Sequence, residues 1–152
     1  MRLTAKSRYA VTALLDLAIH SKNQCVTLAD IAERQVISLS YLEQLFSRLR
    51  KAGLVRGMRG PGGGYLLAKS ENDITIADII EGVNESISVR ACEGDENCFN
   101  GGRCLVHDLW ADLDDEISSY LSNFTLADIL AQQNQVRNRQ IAESVVTFTK
   151  SL

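Results

Sequence analysis

The sequence predicts a mainly α-helical chain with one small β-hairpin, and three observations carry that expectation. Apolar residues recur at helical spacing around residues 7–20, 40–53 and 106–124. The single proline, Pro61, sits among Gly60, Gly62, Gly63 and Gly64 with a short apolar run on each side, the pattern of a hairpin with a glycine-rich tip. Residues 1–70 carry 11 Lys and Arg against 4 Asp and Glu, whereas residues 71–152 carry 5 against 15. A basic segment followed by an acidic one implies two jobs, with the basic segment able to meet a polyanion.

The first helix is expected over about Ser7 to His20, where Val11, Leu14, Leu15 and Ala18 form a stripe widened by Leu17. Thr27-Leu-Ala-Asp30 has cap chemistry ahead of Ile31 and Ala32, so a short second helix starts there. A turn through Gln35 to Ser38 leads into SYLEQLFSRLRKAG, residues 40–53. Leu42, Leu45, Phe46 and Leu49 give that helix one apolar face, and Ser40, Glu43, Gln44, Ser47 and Lys51 occupy the opposite one, with Arg50 beside Lys51. Gly53 suits the helix end.

A short helix, a tight turn and a longer helix make a helix-turn-helix, whose second helix presents polar side chains to base edges. Gln44 can bind adenine and Glu43 can accept from cytosine. Ser40 and Glu43 also fit a capping box, S-x-x-E, which needs no nucleic acid. LVRGMRGPGGGYLL, residues 54–67, follows as a hairpin with Arg56 and Arg59 beside its tip. An arginine there suits a narrow minor groove, and a hairpin directly after a recognition helix is a wing. A phosphate-cradling loop is the rival reading of GPGGGY, but no G-K-[ST] follows it.

The acidic segment, 71–152, repeats the cap pattern at Thr75-Ile-Ala-Asp78 and Thr125-Leu-Ala-Asp128; shared cap chemistry explains this better than an internal repeat. Between them Val106, Trp110, Leu113, Ile117, Tyr120 and Phe124 step by 4, 3, 4, 3 and 4, with Leu109 and Leu121 widening the stripe. This heptad spacing predicts a helix over about 104–124 that seeks a partner, and a second copy of the chain is the candidate. The tail from 131 to 152 carries no motif.

CEGDENCFNGGRCLVH, residues 92–107, holds three of the four cysteines and one of the two histidines. Cys92, Cys98, Cys104 and His107 form a four-ligand set spaced x5, x5 and x2, in a loop too polar to bury inert cysteines. Zinc would take three thiolates and one imidazole tetrahedrally, but structural zinc sites favour shorter gaps. An iron–sulfur cluster tolerates the wider ones. Asp108 and Glu93 are alternative fourth ligands. Cys25 is expected to be a small buried hydrophobe, and His20 to complement its helix dipole.

No apolar run reaches the ~18 residues of a spanning helix, and no apolar segment follows Met1-Arg2-Leu3 as in a secretory signal. The cytoplasm is therefore the expected compartment, where thiols stay reduced and clustered cysteines bind metal or do redox chemistry. No acid/base pair or nucleotide fingerprint points to an enzyme.

RYAVTALLDLA, SLSYLEQLFSRLRKAGLV, RGPGGGYLL and C-x5-C-x5-C-x2-H together resemble the family of IscR-type iron–sulfur cluster regulators of bacterial Fe–S assembly operons, over roughly residues 1–130. The resemblance implies a homodimeric, winged helix-turn-helix transcriptional regulator that binds pseudo-palindromic double-stranded DNA. It implies a labile [2Fe–2S] cluster on Cys92, Cys98, Cys104 and His107. It also implies DNA contacts from Ser40, Tyr41, Gln44 and Arg59, with Glu43 discriminating between two classes of site. Relatives of the same architecture sense nitric oxide or iron, or regulate cysteine metabolism. A zinc-stabilised regulator, a redox carrier and a partner-binding scaffold are the competing readings.

Overall fold

The computed structural model describes residues 4–90, 92 and 95–150. Among these, six helices and one antiparallel hairpin follow in the order α1 (Ala5–His20), α2 (Leu28–Gln35), α3 (Leu39–Lys51), β1 (Val55–Met58), β2 (Gly64–Leu67), α4 (Ile76–Gly82), α5 (His107–Ser122) and α6 (Leu126–Lys150). The mainly α chain with a hairpin wing is the architecture the sequence predicted.

Hydroxyl caps start five of these helices, because the first N–H groups of a helix have no partner inside it. Thr4 Oγ1 accepts from the Ser7 N–H at 3.3 Å, Thr27 Oγ1 from Asp30 at 3.1 Å and Ser38 Oγ from Tyr41 at 3.2 Å. Thr75 and Asp78 form a full capping box, and Thr125 and Asp128 exchange the same pair of bonds. The expected box at Ser40 and Glu43 does not form. Ser38 has the extended backbone (φ −63°, ψ 138°) that a cap needs, and Ser40 already lies inside α3, so its own geometry is helical.

One apolar cluster holds the fold. It joins Ala10, Ala13, Leu14 and Leu17 of α1 to Leu42, Leu45, Phe46 and Leu49 of α3 and to Leu54 and Val55. Ile74, Ile76, Ile79, Ile80, Val83 and Leu126 belong to the same cluster. The boundary near residue 70 is thus a division of charge across which the core runs unbroken. The Phe46 ring meets the edge of Tyr65 at 5.0 Å, a favourable geometry for two aromatic quadrupoles.

The wing pairs Val55 with Leu67 and Met58 with Gly64. It is pinned to the chain before α2, since Val26 and Tyr65 exchange N–H···O bonds of 3.1 and 2.7 Å. A Cβ on Gly64 would stand 2.5 Å from the Val26 oxygen, so only glycine admits this contact. Inside the helix pair, Asp16 of α1 is buried and receives Arg34 through two nitrogens and Gln35 through a third, at 2.7–3.2 Å. His20 Nδ1 lies 2.8 Å from the Asp16 backbone oxygen and 3.4 Å from its carboxylate, so it serves Asp16 as well as the helix end. Cys25 is half-buried, more open than expected.

Two helices depart from their expected bounds. α5 begins at His107 rather than near 104, because a turn occupies the preceding residues and Val106 offers no side-chain cap. α6 continues to Lys150 and takes in most of the tail that lacked a motif. Its start is stitched to that of α4: the Ile76 N–H donates to the Phe124 oxygen and the Leu126 N–H to the Ile74 oxygen, both at 2.9 Å.

Candidate metal centre and nucleic-acid interface

The soft ligands converge where α5 begins. His107 is its first residue, and Cys92 and His107 are buried. His107 Nδ1 lies 3.4 Å from Cys98 Sγ and 3.8 Å from Cys92 Sγ. The three ligand atoms lie within 4.8 Å of one another. Cys104 does not join this trio by its thiol. It stands three residues before the start of α5, outside the group of converging ligand atoms. Its backbone instead supports the site: the Cys104 N–H donates to Cys98 Sγ at 3.1 Å, and the Cys104 oxygen accepts from the His107 N–H at 3.2 Å.

A two-residue turn explains how the x5 gap between Cys98 and Cys104 closes. Phe99 and Gly102 exchange N–H···O bonds of 2.9 and 2.8 Å around Asn100 and Gly101, both at positive φ. Asn-Gly is the usual occupant of this hairpin turn, and reading N-G at 100–101 would have revealed it. Asp108 is exposed and paired with Arg103, away from the trio. Glu93, the other alternative ligand, lies outside the described residues.

The chain feeding Cys92 is held by a group the sequence reading missed. Asp114, buried on α5, accepts from the Val89 N–H at 2.6 Å, from Arg90 Nε at 2.6 Å and from Ser88 Oγ at 2.9 Å. Burial pushes the Asp114 carboxyl up, and the bonds from Val89, Arg90 and Ser88 more than offset this, leaving it below the ordinary carboxylate value. The available signal was spacing: His107 and Asp114 are seven residues apart, nearly two full turns, and so share one stripe of the helix.

The remaining faces of α5 reverse the usual arrangement. Its two buried residues are polar, His107 and Asp114, while Leu109, Trp110, Leu113 and Tyr120 of the helix, with Val106 just before it, are exposed, Trp110 at 40% and Tyr120 at 64%. Ile117 is half-buried. Phe124 lies past the end of the helix, packs on the core and meets the Tyr120 ring at 4.9 Å.

On α3 the predicted polar side chains fall outward. Ser40, Glu43, Gln44, Arg50 and Lys51 are exposed, and Ser47 is half-buried. Tyr41 is half-buried against the core and meets Tyr9 edge-on at 5.8 Å. Arg59 is exposed in the turn between β1 and β2, and Arg56 is exposed on β1. Helix α3 and the wing thus carry exposed cations on a scaffold fixed by the core.

Known proteins share this plan. The family model described as Rrf2, iron-dependent transcriptional regulator, matches residues 3–132. The HTH-type transcriptional regulator IscR of Yersinia pseudotuberculosis is 58% identical over 142 residues, covering 92% of this chain and 87% of that protein. Among solved structures, T. potens IscR superposes with a TM-score of 0.74 at 35% identity, covering 90% of each chain. CymR, the global cysteine regulator of B. subtilis, gives 0.72 at 34% identity, over 87% of this chain and 98% of that one. With its winged helix-turn-helix and a family match over residues 3–132, the chain belongs to the Rrf2 family of DNA-binding transcriptional regulators, which are not enzymes.

Proposed function

We propose that this regulator reads iron–sulfur status through a [2Fe–2S] cluster and acts as a homodimer on pseudo-palindromic double-stranded DNA. The observation that carries the reading is the meeting of Cys92, Cys98 and His107 at the start of α5, in a chain whose α3 and wing bear exposed polar and cationic side chains. The donor set fits the group. Two thiols and an imidazole already face one point, and a third thiol, that of Cys104, is one short segment away. A single tetrahedral ion needs four donors around one centre. Three close donors with a fourth standing off suit a cluster whose ligands divide between two irons. Cys92, Cys98, Cys104 and His107 would hold it, and when bound it supplies a charge and redox state that the bare loop lacks.

The exposed stripe of Val106, Trp110, Leu113 and Tyr120 supports a second copy as partner, since an apolar helix face in water favours burial. A dimer would present two recognition helices to two half-sites. Ser40, Tyr41, Glu43, Gln44, Ser47, Arg50, Lys51 and Arg59 are the residues proposed to meet DNA. The cytoplasm is the proposed compartment, consistent with free thiols at all four cysteines; among the described residues no helix is long and apolar enough to cross a membrane.

The test is anaerobic purification with iron, acid-labile sulfide and zinc analysis. About two irons and two sulfides per chain are expected for the cluster. One zinc without sulfide would retain the DNA-binding regulator and overturn the sensing mechanism.

A further inference from the structure

We propose that Asp114 is a positioning residue for the metal site: from two turns along α5 it fixes residues 88–90 and so sets where Cys92 meets His107. The inference rests on reading Cys92, Cys98 and His107 as metal ligands.

Residues 85–90 form neither helix nor strand, so their own backbone does not fix their path. Three donors from this stretch end on one carboxylate: the Val89 N–H on Oδ1, and Ser88 Oγ and Arg90 Nε on Oδ2. The Arg90 N–H in turn donates to Ser88 Oγ at 3.1 Å, which tightens the same three residues. Cys92 follows Arg90 by two residues, too short a tether to wander once Arg90 is held. The carboxylate and the imidazole are the two buried residues of α5. One rigid helix therefore carries both the ligand His107 and the anchor for the chain bearing the ligand Cys92, and their separation is fixed at about 10 Å by helical rise.

A buried carboxylate is an expensive way to hold a loop. A backbone N–H, a hydroxyl and a guanidinium satisfy it here, and no apolar side chain could accept from all three. Outer groups of this kind orient ligands, and their loss commonly weakens metal binding 10–100-fold.

Cobalt(II) serves as the probe, titrated into the reduced, metal-free full-length protein while the thiolate-to-metal absorption is followed. Asp114→Ala and Asp114→Asn are expected to weaken cobalt binding about 10-fold or more, and Arg90→Ala to weaken it in the same direction. The helical content and thermal midpoint of the metal-free Asp114→Asn variant should stay near wild type, because Asn keeps the shape and one acceptor. This isosteric variant also carries the test if the alanine variant does not fold. Wild-type cobalt affinity in Asp114→Asn overturns the inference, as does a loss of affinity that only tracks a loss of helix. A wild-type chain that binds cobalt tightly through its thiols yet takes up no iron and sulfide would sink the cluster reading and leave the role of Asp114 standing.

Discussion

Val36 sits in the turn between α2 and α3 with φ 54° and ψ 47°, a left-handed conformation that β-branched residues resist. Its side chain is 91% exposed and so gains no packing in return. Replacing it by Asn, which tolerates this region, is expected to raise stability by about 1 kcal/mol; a thermal midpoint unchanged or lowered by Val36→Asn would show that the turn is not strained. Asp16 makes the opposite kind of bargain. Burial pushes its carboxyl up, and the bonds from Arg34 and Gln35, with the charges of Arg34 and His20, bring it below the ordinary value. A carboxyl lowered in the folded state adds stability above the unfolded value, about pH 3.9, and loses it as pH falls through the folded one. The gap in thermal midpoint between wild type and Asp16→Asn should therefore be widest near neutrality and close below about pH 4. A gap that persists at pH 2 would assign the effect to shape alone. Neither residue was legible beforehand. Val36 looks ordinary in sequence, and Asp16 finds its partners 18 and 19 residues away, beyond any local pattern.

At the scale of elements, periodicity and caps were the legible signals. The four apolar positions of α3 are all buried, as their spacing required, and Thr27, Thr75 and Thr125 all start helices. The misplaced cap at Ser40 shows the limit of the pattern. Ser38 and Ser40 are chemically equal, and backbone geometry chose between them. The wing's glycines were readable as a turn, whereas the placing of Gly64 in β2 against the Val26 carbonyl was not. Arg59 at its tip is expected to supply a cation to DNA. Arg59→Ala should weaken binding to a random-sequence duplex and lower the salt slope by about 1; an unchanged slope would remove the wing from the interface. On α5 Trp110, Leu113 and Tyr120 of the expected apolar stripe are exposed, Val106 and Phe124 fall outside the helix, and the buried polar stripe was not foreseen. Trp110→Ala should weaken self-association about tenfold or more, as loss of a central aromatic anchor does. Sedimentation equilibrium identical to wild type would place the seam elsewhere.

Over the whole molecule the charge division was plain in the sequence, and its meaning in space was not. The basic and acidic segments share one core, with Ile74, Ile79, Ile80 and Leu126 packed among residues of α1 and α3. Arg48 of α3 donates to the Val83 oxygen at the end of α4, and Lys6 of α1 meets Glu85 at 2.6 Å. The stretch that leads towards Cys92 is therefore moored to α1 and α3 at one end and to Asp114 at the other. Such contacts join residues dozens of positions apart, which is why composition could show two blocks of charge and not how they touch.

The paired bonds between Ile74–Ile76 and Phe124–Leu126 have a topological consequence. They clasp the chain just before α4 and just after α5, so the segment between them, whose first part is the core-packed α4, starts and ends at one point. A protease that cuts the exposed tip around Asn100 would sever the covalent chain there and leave both pieces bound at the clasp and along the packed faces of α4. The nicked protein should run as one particle in a native column and as two bands once denatured. The cysteine-bearing loop is in this sense a handle on the regulator, one that can be broken without the vessel coming apart.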